Sequence, residues 1–219
     1  MTTSHQFPHA IQTPLTPVCI SQAQEASLKQ VPPSFQVLFL TPTMPETTFQ
    51  ALSELACRTF TETFGHLYLP EVLTPYLEAH FAIEALKQEN AKPDRYYGLV
   101  YVDHTLAGYF KCYTNSTQYL EPETLKHLQR QGHERLCFLE RLYFDRHYQG
   151  TGLAHSTLAY ILQLAKHHWR ASHLHLTVWE NNIKAQRLYQ HWGFKSLSQT
   201  LYYVEGAKPD VEFVYGRSL

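Results

Sequence analysis

Apolar residues in the first half of the chain recur at two different spacings. The run FQVLFL over Phe35–Leu40 has the apolar and aromatic content of a short strand. A helix is predicted next by apolar residues three or four positions apart, namely Phe49, Leu52, Ala56 and Phe60. A second helical region begins at Pro70. Tyr96–Val102 and Thr105–Tyr113 are strand-like runs separated by Asp103-His104, an arrangement that predicts a hairpin.

The second half of the chain alternates more regularly between strand-like and helix-like segments. It predicts a strand over Leu136–Phe144, a helix over Gly152–Trp169, a half-polar strand over His173–Trp179, a helix over Asn182–Trp192, and a closing hairpin of Leu201–Val204 with Val211–Tyr215. The polar stretch Asn115–Gly132 before them is typical of a helix-compatible surface connection. Taken with the first half, this order predicts one α/β (α+β) domain whose mixed sheet carries helices on both faces.

Residues 1–34 differ from the rest of the chain, since they are polar and rich in Pro, Gln, Ser and Thr, without a clear period. This composition predicts a mobile N-terminal arm, with a short helix over Ser21–Lys29. Pro32-Pro33 marks the entry to the folded domain, which we expect to span residues 35–219.

Charge and composition narrow the classes of protein to which this chain can belong. Lys+Arg number 18 and Asp+Glu number 19, so the formal net charge is -1, which argues against nucleic acid as the main partner. Hydrophobic residues make up 44%, enough to bury a core. No apolar run reaches the length that spans a bilayer, and no signal-peptide pattern is present. We therefore expect a cytoplasmic protein with no membrane partner.

Cysteine and histidine are potential metal ligands, but their spacing does not indicate a metal site. Cys19, Cys57, Cys112 and Cys137 are widely scattered, so reduced and mostly buried thiols are expected. His173 and His175 have a spacing that suits two ligands, yet no third ligand is evident. We predict no metal, and surface or cleft positions for the histidines.

Glycine is scarce in this chain, and two of its nine glycines, Gly150 and Gly152, stand between a predicted strand and a predicted helix. A glycine turn that enters a helix presents free backbone N–H groups at the positive end of the helix dipole, and it binds phosphate without basic side chains. No Gly-Lys-Ser/Thr follows, so the loop is not that of the P-loop nucleotide-binding proteins. An ordinary strand-to-helix turn explains these glycines equally well.

A second segment, Val178–Phe194, adds to the evidence from the loop. Together the two segments resemble the GNAT (GCN5-related N-acetyltransferase) superfamily. The acetyl-CoA loop of that family, Q/R-x-x-G-x-G/A, is met here by Gln149, Gly152 and Ala154. Its strand-helix signature, V-x-x-x-N-x-x-A-x-x-x-Y-x-x-x-G-F, is met by Val178, Asn182, Ala185, Tyr189, Gly193 and Phe194.

The resemblance implies a GNAT fold over residues 35–219, with a mixed, mostly antiparallel sheet of about six or seven strands. It also implies acetyl-CoA as cosubstrate, with its pyrophosphate on the amides of the glycine loop and its pantetheine arm along the preceding strand. The cofactor-binding residues expected on this basis are Leu142, Tyr143, Phe144, Gln149, Gly150, Thr151, Gly152, Leu153, Ala154, Asn182, Lys184 and Ala185.

The implied chemistry is direct attack of a primary amine on the thioester, which needs a proton acceptor because alkylamines are mostly protonated at neutral pH. Glu140 is the expected base, and its position two residues before Leu142 predicts that both side chains share one face. An ion pair with Arg141, Arg135 or another cation explains Glu140 equally well. Tyr189 matches the family's general acid, with a core-facing tyrosine as the alternative. Alternative bases are His167, His168, His173 and His175.

The acceptor half of the chain is similar to bacterial PaiA-type polyamine N-acetyltransferases in two segments, Thr61–His66 and Tyr76–Phe81. A polyamine or another small amine is therefore the expected acceptor. Acids that could attract a polycation are Glu62, Glu78 and Glu84, and aromatic residues that could line its methylenes are Phe64, Tyr68 and Tyr76. Two amphipathic helices with acids facing water are the alternative interpretation of the same residues.

Other partners stay open from the sequence alone. The same catalytic half could acetylate a protein N-terminus, a lysine or an aminoglycoside, or the chain could be a CoA-binding regulator without turnover. The family resemblance also suggests a homodimer, for which the closing hairpin over Leu201–Tyr215 is the candidate contact.

Overall fold

The computed structural model describes residues 34–219; the predicted arm apart from Ser34, its helix over Ser21–Lys29 and Cys19 lie outside the described residues. The strands are β1 (Gln36–Phe39), β2 (Arg95–Val102), β3 (Thr105–Tyr113), β4 (Leu136–Phe144), β5 (His173–Trp179), β6 (Lys195–Tyr202) and β7 (Asp210–Ser218). The α-helices are α1 (Glu46–Phe64), α2 (Pro70–Phe81), α3 (Ile83–Asn90), α4 (Pro122–Arg130), α5 (Leu153–Gln163) and α6 (Ile183–His191).

All seven strands join one sheet in the order β1-β2-β3-β4-β5-β7-β6. Neighbouring strands are antiparallel except for β4 and β5, which are parallel. The hairpin between β2 and β3 turns at Asp103 and His104, whose positive φ angles of 47° and 64° are typical of a tight two-residue turn. The predicted mixed, mostly antiparallel sheet is confirmed.

Helices cover both faces of this sheet, as the sequence predicted. On the α1 face, α1, α2 and α3 pack against β2 and β3 through buried residues such as Phe49, Phe81 and Tyr109. On the α5 face, α5 and α6 pack against the central strands through residues such as Ile161 and Leu176. The apolar spacing predicted for α1 is confirmed, since its periodic residues are the buried ones.

The central strands β4 and β5 are neighbours along only part of their length. Leu136–Leu139 pair with His173–Leu176, and beyond that point β4 keeps its partner β3 while β5 keeps its partner β7. The two strands therefore diverge, and a gap opens in the middle of the sheet. This gap places backbone and side chains from both faces next to one another.

A β-bulge in β4 controls which way its side chains point. Between Leu139 and Arg141, β4 advances by two residues while β3 advances by one, so Glu140 is the extra residue. Leu142 packs with the core on the α5 face, whereas the Glu140 carboxylate binds Lys111 on the α1 face. The prediction that Glu140 and Leu142 share a face is wrong, because the bulge shifts the alternation by one residue.

Three other elements differ from the sequence-based expectations. The second helical region is two helices, since the extended backbone of Ala82 (ψ 148°) interrupts it. The helix expected over Gly152–Trp169 begins one residue later and passes into a wider turn over Leu164–His168. β6 begins at Lys195 rather than Leu201, because pairing with β7 supplies hydrogen bonds that its polar sequence did not signal.

The histidines of β5 are buried, and the half-polar strand predicted there is wrong. His173 and His175 are 3% and 0% exposed, because β5 lies between β4 and β7 with both sheet faces covered. Gly216 of β7 leaves room for one of them, since a Cβ there would lie 2.5 Å from Nε2 of His173. His167 and His168 are exposed at the surface, as expected.

Candidate active site

The loop between β4 and α5 carries free backbone N–H groups. Gly150 and Gly152 adopt positive φ angles of 81° and 84°, which lead the chain sharply into α5. Within the described chain, the amides of Gly150, Gly152 and Ala154 have no hydrogen-bond acceptor. Because these amides lie at the positive end of a helix dipole, the loop can bind an anion through its main chain.

Asp145, just after β4, fixes the start of this loop. Its Oδ1 accepts a hydrogen bond of 3.0 Å from the His147 amide, and its Oδ2 lies 2.7 Å from Nη2 of Arg58 on α1. The His147 amide, the His147 ring and Arg58 outweigh the effect of burial and lower the pKa of Asp145 to about 2. Further along the loop, the Thr151 hydroxyl donates to the Tyr148 carbonyl at 2.8 Å. The loop is therefore held in shape before any ligand binds.

The start of α6 is fixed by its own side chains. Asn182 caps the helix, since its Oδ1 accepts a hydrogen bond of 3.1 Å from the Ala185 amide. Gln186 donates to the carbonyl oxygens of Trp179 and Glu180, at 3.2 and 2.7 Å. These contacts hold the N-terminus of α6 at the open end of β5.

A groove of about 1050 Å³, called here the long groove, runs between the glycine loop, the end of β4 and the start of α6. Most of the residues predicted to bind the cofactor line it, namely Leu142, Tyr143, Phe144, Gln149, Gly150, Gly152, Ala154, Asn182, Lys184 and Ala185. Thr151 and Leu153 do not line it. The Thr151 hydroxyl is used within the loop, and the Leu153 side chain is fully buried in the core.

The long groove also contains basic residues that the motifs did not single out. Arg146 follows β4 and Arg187 lies on α6, and both join Lys184 in lining the groove. His155 and His191 add two imidazole rings, whose centroids are 5.2 Å apart. The sequence contained little indication of these basic residues, because single basic residues on different helices come together only when the helices pack side by side.

A second cavity of about 120 Å³, called here the inner cavity, lies at the gap between β4 and β5. It shares Leu142, Tyr143, Asn182 and Ala185 with the long groove, so the two spaces meet there. Aromatic rings form most of its wall, namely Phe60, Phe64, Tyr68, Tyr76, Tyr119, Phe138, Tyr143, Trp179, Tyr189 and Tyr202. Three of these, Phe64, Tyr68 and Tyr76, are the aromatic residues predicted for the acceptor half.

Tyr189 lies on α6, buried on the α5 face of the sheet, and lines the inner cavity. It is 8% exposed, and burial raises its pKa, so the phenol keeps its proton at neutral pH. In the described part of the chain its hydroxyl has no hydrogen-bond partner. Tyr189 therefore has features of both interpretations. Its ring packs on Phe194, as expected of a core-facing tyrosine, and the residue also lines the cavity.

Glu140 also lines the inner cavity, but its carboxylate is already engaged. Its Oε2 lies 2.6 Å from Nζ of Lys111, a buried lysine that also contacts Glu89 at 3.0 Å. Burial works to raise the pKa of Glu140, but Arg141 and Lys111 outweigh it, so the pKa lies below its ordinary value. The cation that the sequence left open as a partner is thus chiefly Lys111, with Arg141 at 3.8 Å.

Two further carboxylates, Asp210 and Glu212, line the inner cavity from β7. Asp210 accepts a hydrogen bond of 2.5 Å from the Tyr68 hydroxyl. Glu212 Oε2 is buried and has no partner among residues 34–219. Burial raises the pKa of Glu212, while a hydrogen bond from Thr177 acts in the opposite direction. Neither acid was identified from the sequence. The alternation in the run Asp210–Phe213 (DVEF) nevertheless places both acids on one face of a strand.

The acids predicted for the acceptor half lie elsewhere. Glu62 lines the long groove, and Glu78 and Glu84 are exposed. Glu84 pairs with Lys87 at 3.0 Å on the surface of α3. For Glu78 and Glu84, the alternative of water-facing acids on amphipathic helices is what the structure shows.

Two other properties of the described chain bear on function. Residues 34–219 contain no cluster of three or more His, Cys, Asp or Glu side chains arranged to hold a metal ion. Over the same residues, no helix combines the length and apolar character needed to cross a membrane. The three cysteines in this part of the chain, Cys57, Cys112 and Cys137, are free thiols.

Comparison with known proteins identifies the family. A model of the Acetyltransferase (GNAT) family matches residues 49–194, which is more than half of the chain. The chain belongs to this family, and the resemblance drawn from the loop and the strand-helix signature is confirmed.

Individual relatives agree with this assignment. A probable spermine N(1)-acetyltransferase of Bacillus subtilis subsp. natto (strain BEST195) is 40% identical over 58 residues, which are 26% of this chain and only 38% of the length of that protein. An uncharacterized N-acetyltransferase in the pepI 3'region of Lactobacillus delbrueckii subsp. lactis is 28% identical over 163 residues, 74% of this chain and 86% of that protein.

A solved structure shows the same fold. The PaiA N-acetyltransferase of Thermoplasma acidophilum, in complex with coenzyme A, aligns with a TM-score of 0.61 at 16% identity, covering 85% of this chain and 99% of that chain.

Proposed function

We propose that this protein transfers the acetyl group of acetyl-CoA to a primary amine by direct attack in a ternary complex, and that its preferred acceptor is a polyamine or another small amine. The observation that carries the proposal is the meeting of the long groove and the inner cavity at the open end of β4 and β5. One space suits a long phosphorylated ligand, and the other suits a small cation, so the two reactants meet at the gap in the sheet.

The residues of the long groove fit coenzyme A. The free amides of Gly150, Gly152 and Ala154 suit a pyrophosphate, and Arg146, Lys184 and Arg187 add positive charge. The edge of β4 past Leu139 faces the gap, where its main-chain groups are available to pair with an extended ligand. When bound, acetyl-CoA supplies an activated acetyl thioester. The protein's own residues bind it, orient it and exchange protons.

Tyr189 is the residue that we assign as proton donor to the leaving thiolate. It keeps its proton at neutral pH because burial raises its pKa, and it borders the cavity next to Ala185, where the groove enters. A carboxylate in the inner cavity is needed to accept the proton of the ammonium, because only a neutral amine attacks a carbonyl carbon.

The inner cavity suits a cationic acceptor. Aromatic faces and carboxylates together attract ammonium groups, and here aromatic rings form most of the wall beside Asp210 and Glu212. Glu140 contributes less, because Lys111 and Arg141 offset its charge. The spermine acetyltransferase among the relatives supports a polyamine, although that match spans 38% of the relative.

A panel of amines tests this proposal. Release of free thiol from acetyl-CoA is measured with polyamines, aminoglycosides, amino acids, and peptides that carry a free N-terminus or a lysine. Turnover with spermidine or spermine at the lowest KM is the expected result. Turnover with another member of the panel alone would replace the polyamine by that acceptor.

Isothermal titration with acetyl-CoA separates the enzyme from a regulator without turnover. Binding together with thiol release supports the enzyme, and binding without release from any amine indicates a regulator. Absence of binding heat and of any thermal shift would exclude both.

A further inference from the structure

Glu140 and Glu212 both line the inner cavity, but their surroundings differ. Glu140 lies 2.6 Å from the ammonium group of Lys111 and 3.8 Å from Nε of Arg141. A carboxylate held between two cations is a weak proton acceptor, since protonation would leave those cations without their counter-charge. Moreover, Lys111 is 3% exposed and bridges Glu140 to Glu89, so this ion pair ties β3 and β4 to the end of α3.

Among residues 34–219, Glu212 has no such cation against it. It lies on β7 opposite Trp179 of β5 and Thr200 of β6, beside the open end of the β4–β5 gap. Its Oε2 is buried and has no hydrogen-bond donor among residues 34–219, while the neutral Thr177 hydroxyl donates to the carboxylate group. Buried polar atoms are almost always hydrogen-bonded, so an unpaired carboxylate oxygen in a cavity wall indicates a position that a ligand completes.

We propose that Glu212, and not Glu140, takes the proton from the acceptor ammonium. This inference rests on the proposed acetyl transfer and assigns one residue to its first step. The Glu140–Lys111 pair is then a structural contact that shapes the cavity.

The step balances in the following way. One N–H bond of the ammonium breaks as an O–H bond forms on Glu212, which later releases that proton to water. The neutral nitrogen then forms the N–C bond to the acetyl carbon as the C–S bond breaks. The departing sulfur takes a proton from Tyr189, and Tyr189 recovers the second proton of the nitrogen. The net products are an N-acetyl amine, a free thiol and one released proton.

The titration of Glu212 must be distinguished from that of the other ionisable groups around it. Those that line the same cavity are Tyr68, Tyr76, Glu140, Arg141, Tyr202 and Asp210. Burial raises the pKa of Glu212 and of the cavity tyrosines Tyr68, Tyr76 and Tyr202, whereas the pKa of Glu140 is lowered. An acidic limb of the rate profile above the ordinary glutamate range therefore points to Glu212 rather than to Glu140.

Glu212→Gln tests the assignment through rate–pH profiles with the best amine of the panel. We expect kcat to fall roughly 100-fold or more, with KM changed only a few-fold, and the acidic limb to disappear. Glu212→Asp should recover part of kcat and restore an acidic limb. Glu140→Gln should keep the acidic limb and lower the melting temperature. Glu84→Gln, at an exposed carboxylate, is the matched control and should behave like the unaltered protein.

Several outcomes would overturn the inference. These are a rise of KM alone in Glu212→Gln, a full kcat with an unchanged profile, or loss of the acidic limb in Glu140→Gln instead. Acetyl-CoA titration and melting curves on each variant show whether the site is intact. If the unaltered protein binds acetyl-CoA but releases no thiol with any amine, the proposed function fails first, and the assignment of Glu212 fails with it.

Discussion

The long groove and the inner cavity share four residues, but they are built in different ways. The groove takes its anion-binding groups from the main chain of one short loop and the ends of two helices. The cavity takes side chains from both faces of the sheet, from segments as far apart in the chain as α1 and β7. Main-chain binding depends on local conformation, whereas side-chain binding depends on how distant elements pack. The two regions should therefore respond differently to mutation.

The largest expected effect of a single substitution comes from the charge network behind the inner cavity. Lys111→Met removes the buried cation that Glu140 and Glu89 share, and removal of one partner of a buried pair costs about 3 kcal/mol of unfolding free energy. Urea unfolding measures this cost. Lys87→Met, which removes a surface lysine paired with Glu46 and Glu84, is the control and should leave the urea midpoint unchanged. Equal midpoints for both variants would show that the network is not structural.

Removing the hydroxyl of Tyr189 should separate chemistry from cofactor binding. Tyr189→Phe is expected to lower kcat about 100-fold while the Kd for acetyl-CoA stays the same, because the ring still packs on Phe194. Single-turnover kinetics and isothermal titration measure the two quantities. Tyr203→Phe, at a tyrosine that is 70% exposed, is the control. A weaker affinity with full kcat would place Tyr189 in the groove rather than in the chemistry.

Lowering the pH should reduce the stability of the folded protein through the segment where β4 and β5 pair, which contains His173 and His175. His173 and His175 are neutral in the folded protein, since burial lowers the pKa of each to about 4. The unfolded chain binds protons below pH 6.5, so stability is complete above that value and decreases as the pH falls towards 4. At pH 5 the loss is about 2 kcal/mol for each histidine.

Urea unfolding between pH 7.5 and 4.5 measures this loss. His173→Leu should remove about half of the slope, because neither ring nitrogen of His173 has a partner in the described structure. His168→Gln, at an exposed position, should leave the slope as it is. A flat profile for the unaltered protein would show that the two histidines are not buried in the neutral form.

The smallest expected effect concerns the main chain of the groove. Gly150→Ala and Gly132→Ala both place a side chain at a positive φ, 81° and 84°, and apart from the glycine itself and its chain neighbours no atom of residues 34–219 lies within 4 Å of the new Cβ. Each should lose about 1 to 2 kcal/mol of stability through backbone strain alone. Only Gly150→Ala should also weaken acetyl-CoA binding, by about tenfold, because only its amide faces the groove. Equal affinities of the two variants for acetyl-CoA would show that the loop is not part of the binding site.

The motif residues of the groove could be predicted because their roles are local. Gly150 and Gly152 adopt the positive φ that the loop pattern requires, and Asn182 caps α6 at the position that the signature gives it. Leu153 and Thr151 are part of the same motif, yet they serve the core and the loop itself. A motif thus marks the loop that binds, but not which of its side chains contacts the ligand.

The inner cavity could be predicted only in part. Three aromatic residues of the acceptor half were identified, but its acids were sought on α1, α2 and α3 and are instead Asp210 and Glu212 of β7. The alternation that aligned Glu140 with Leu142 failed at a bulge, which a single strand sequence does not reveal. Pairing of β7 with β5 depends on contacts between residues far apart in the chain.

The sequence by itself determined the family, the order of strands and helices, the glycine loop and the position of Tyr189, because each depends on residues close together in the chain. Only the tertiary structure decided the divergence of β4 and β5, the burial of His173 and His175, and the difference between Glu140, which lies against Lys111, and Glu212, which has no cation against it among residues 34–219. The physical reason is that the charge state of a carboxylate or an imidazole depends on burial and on its neighbours, and these neighbours come from distant parts of the chain.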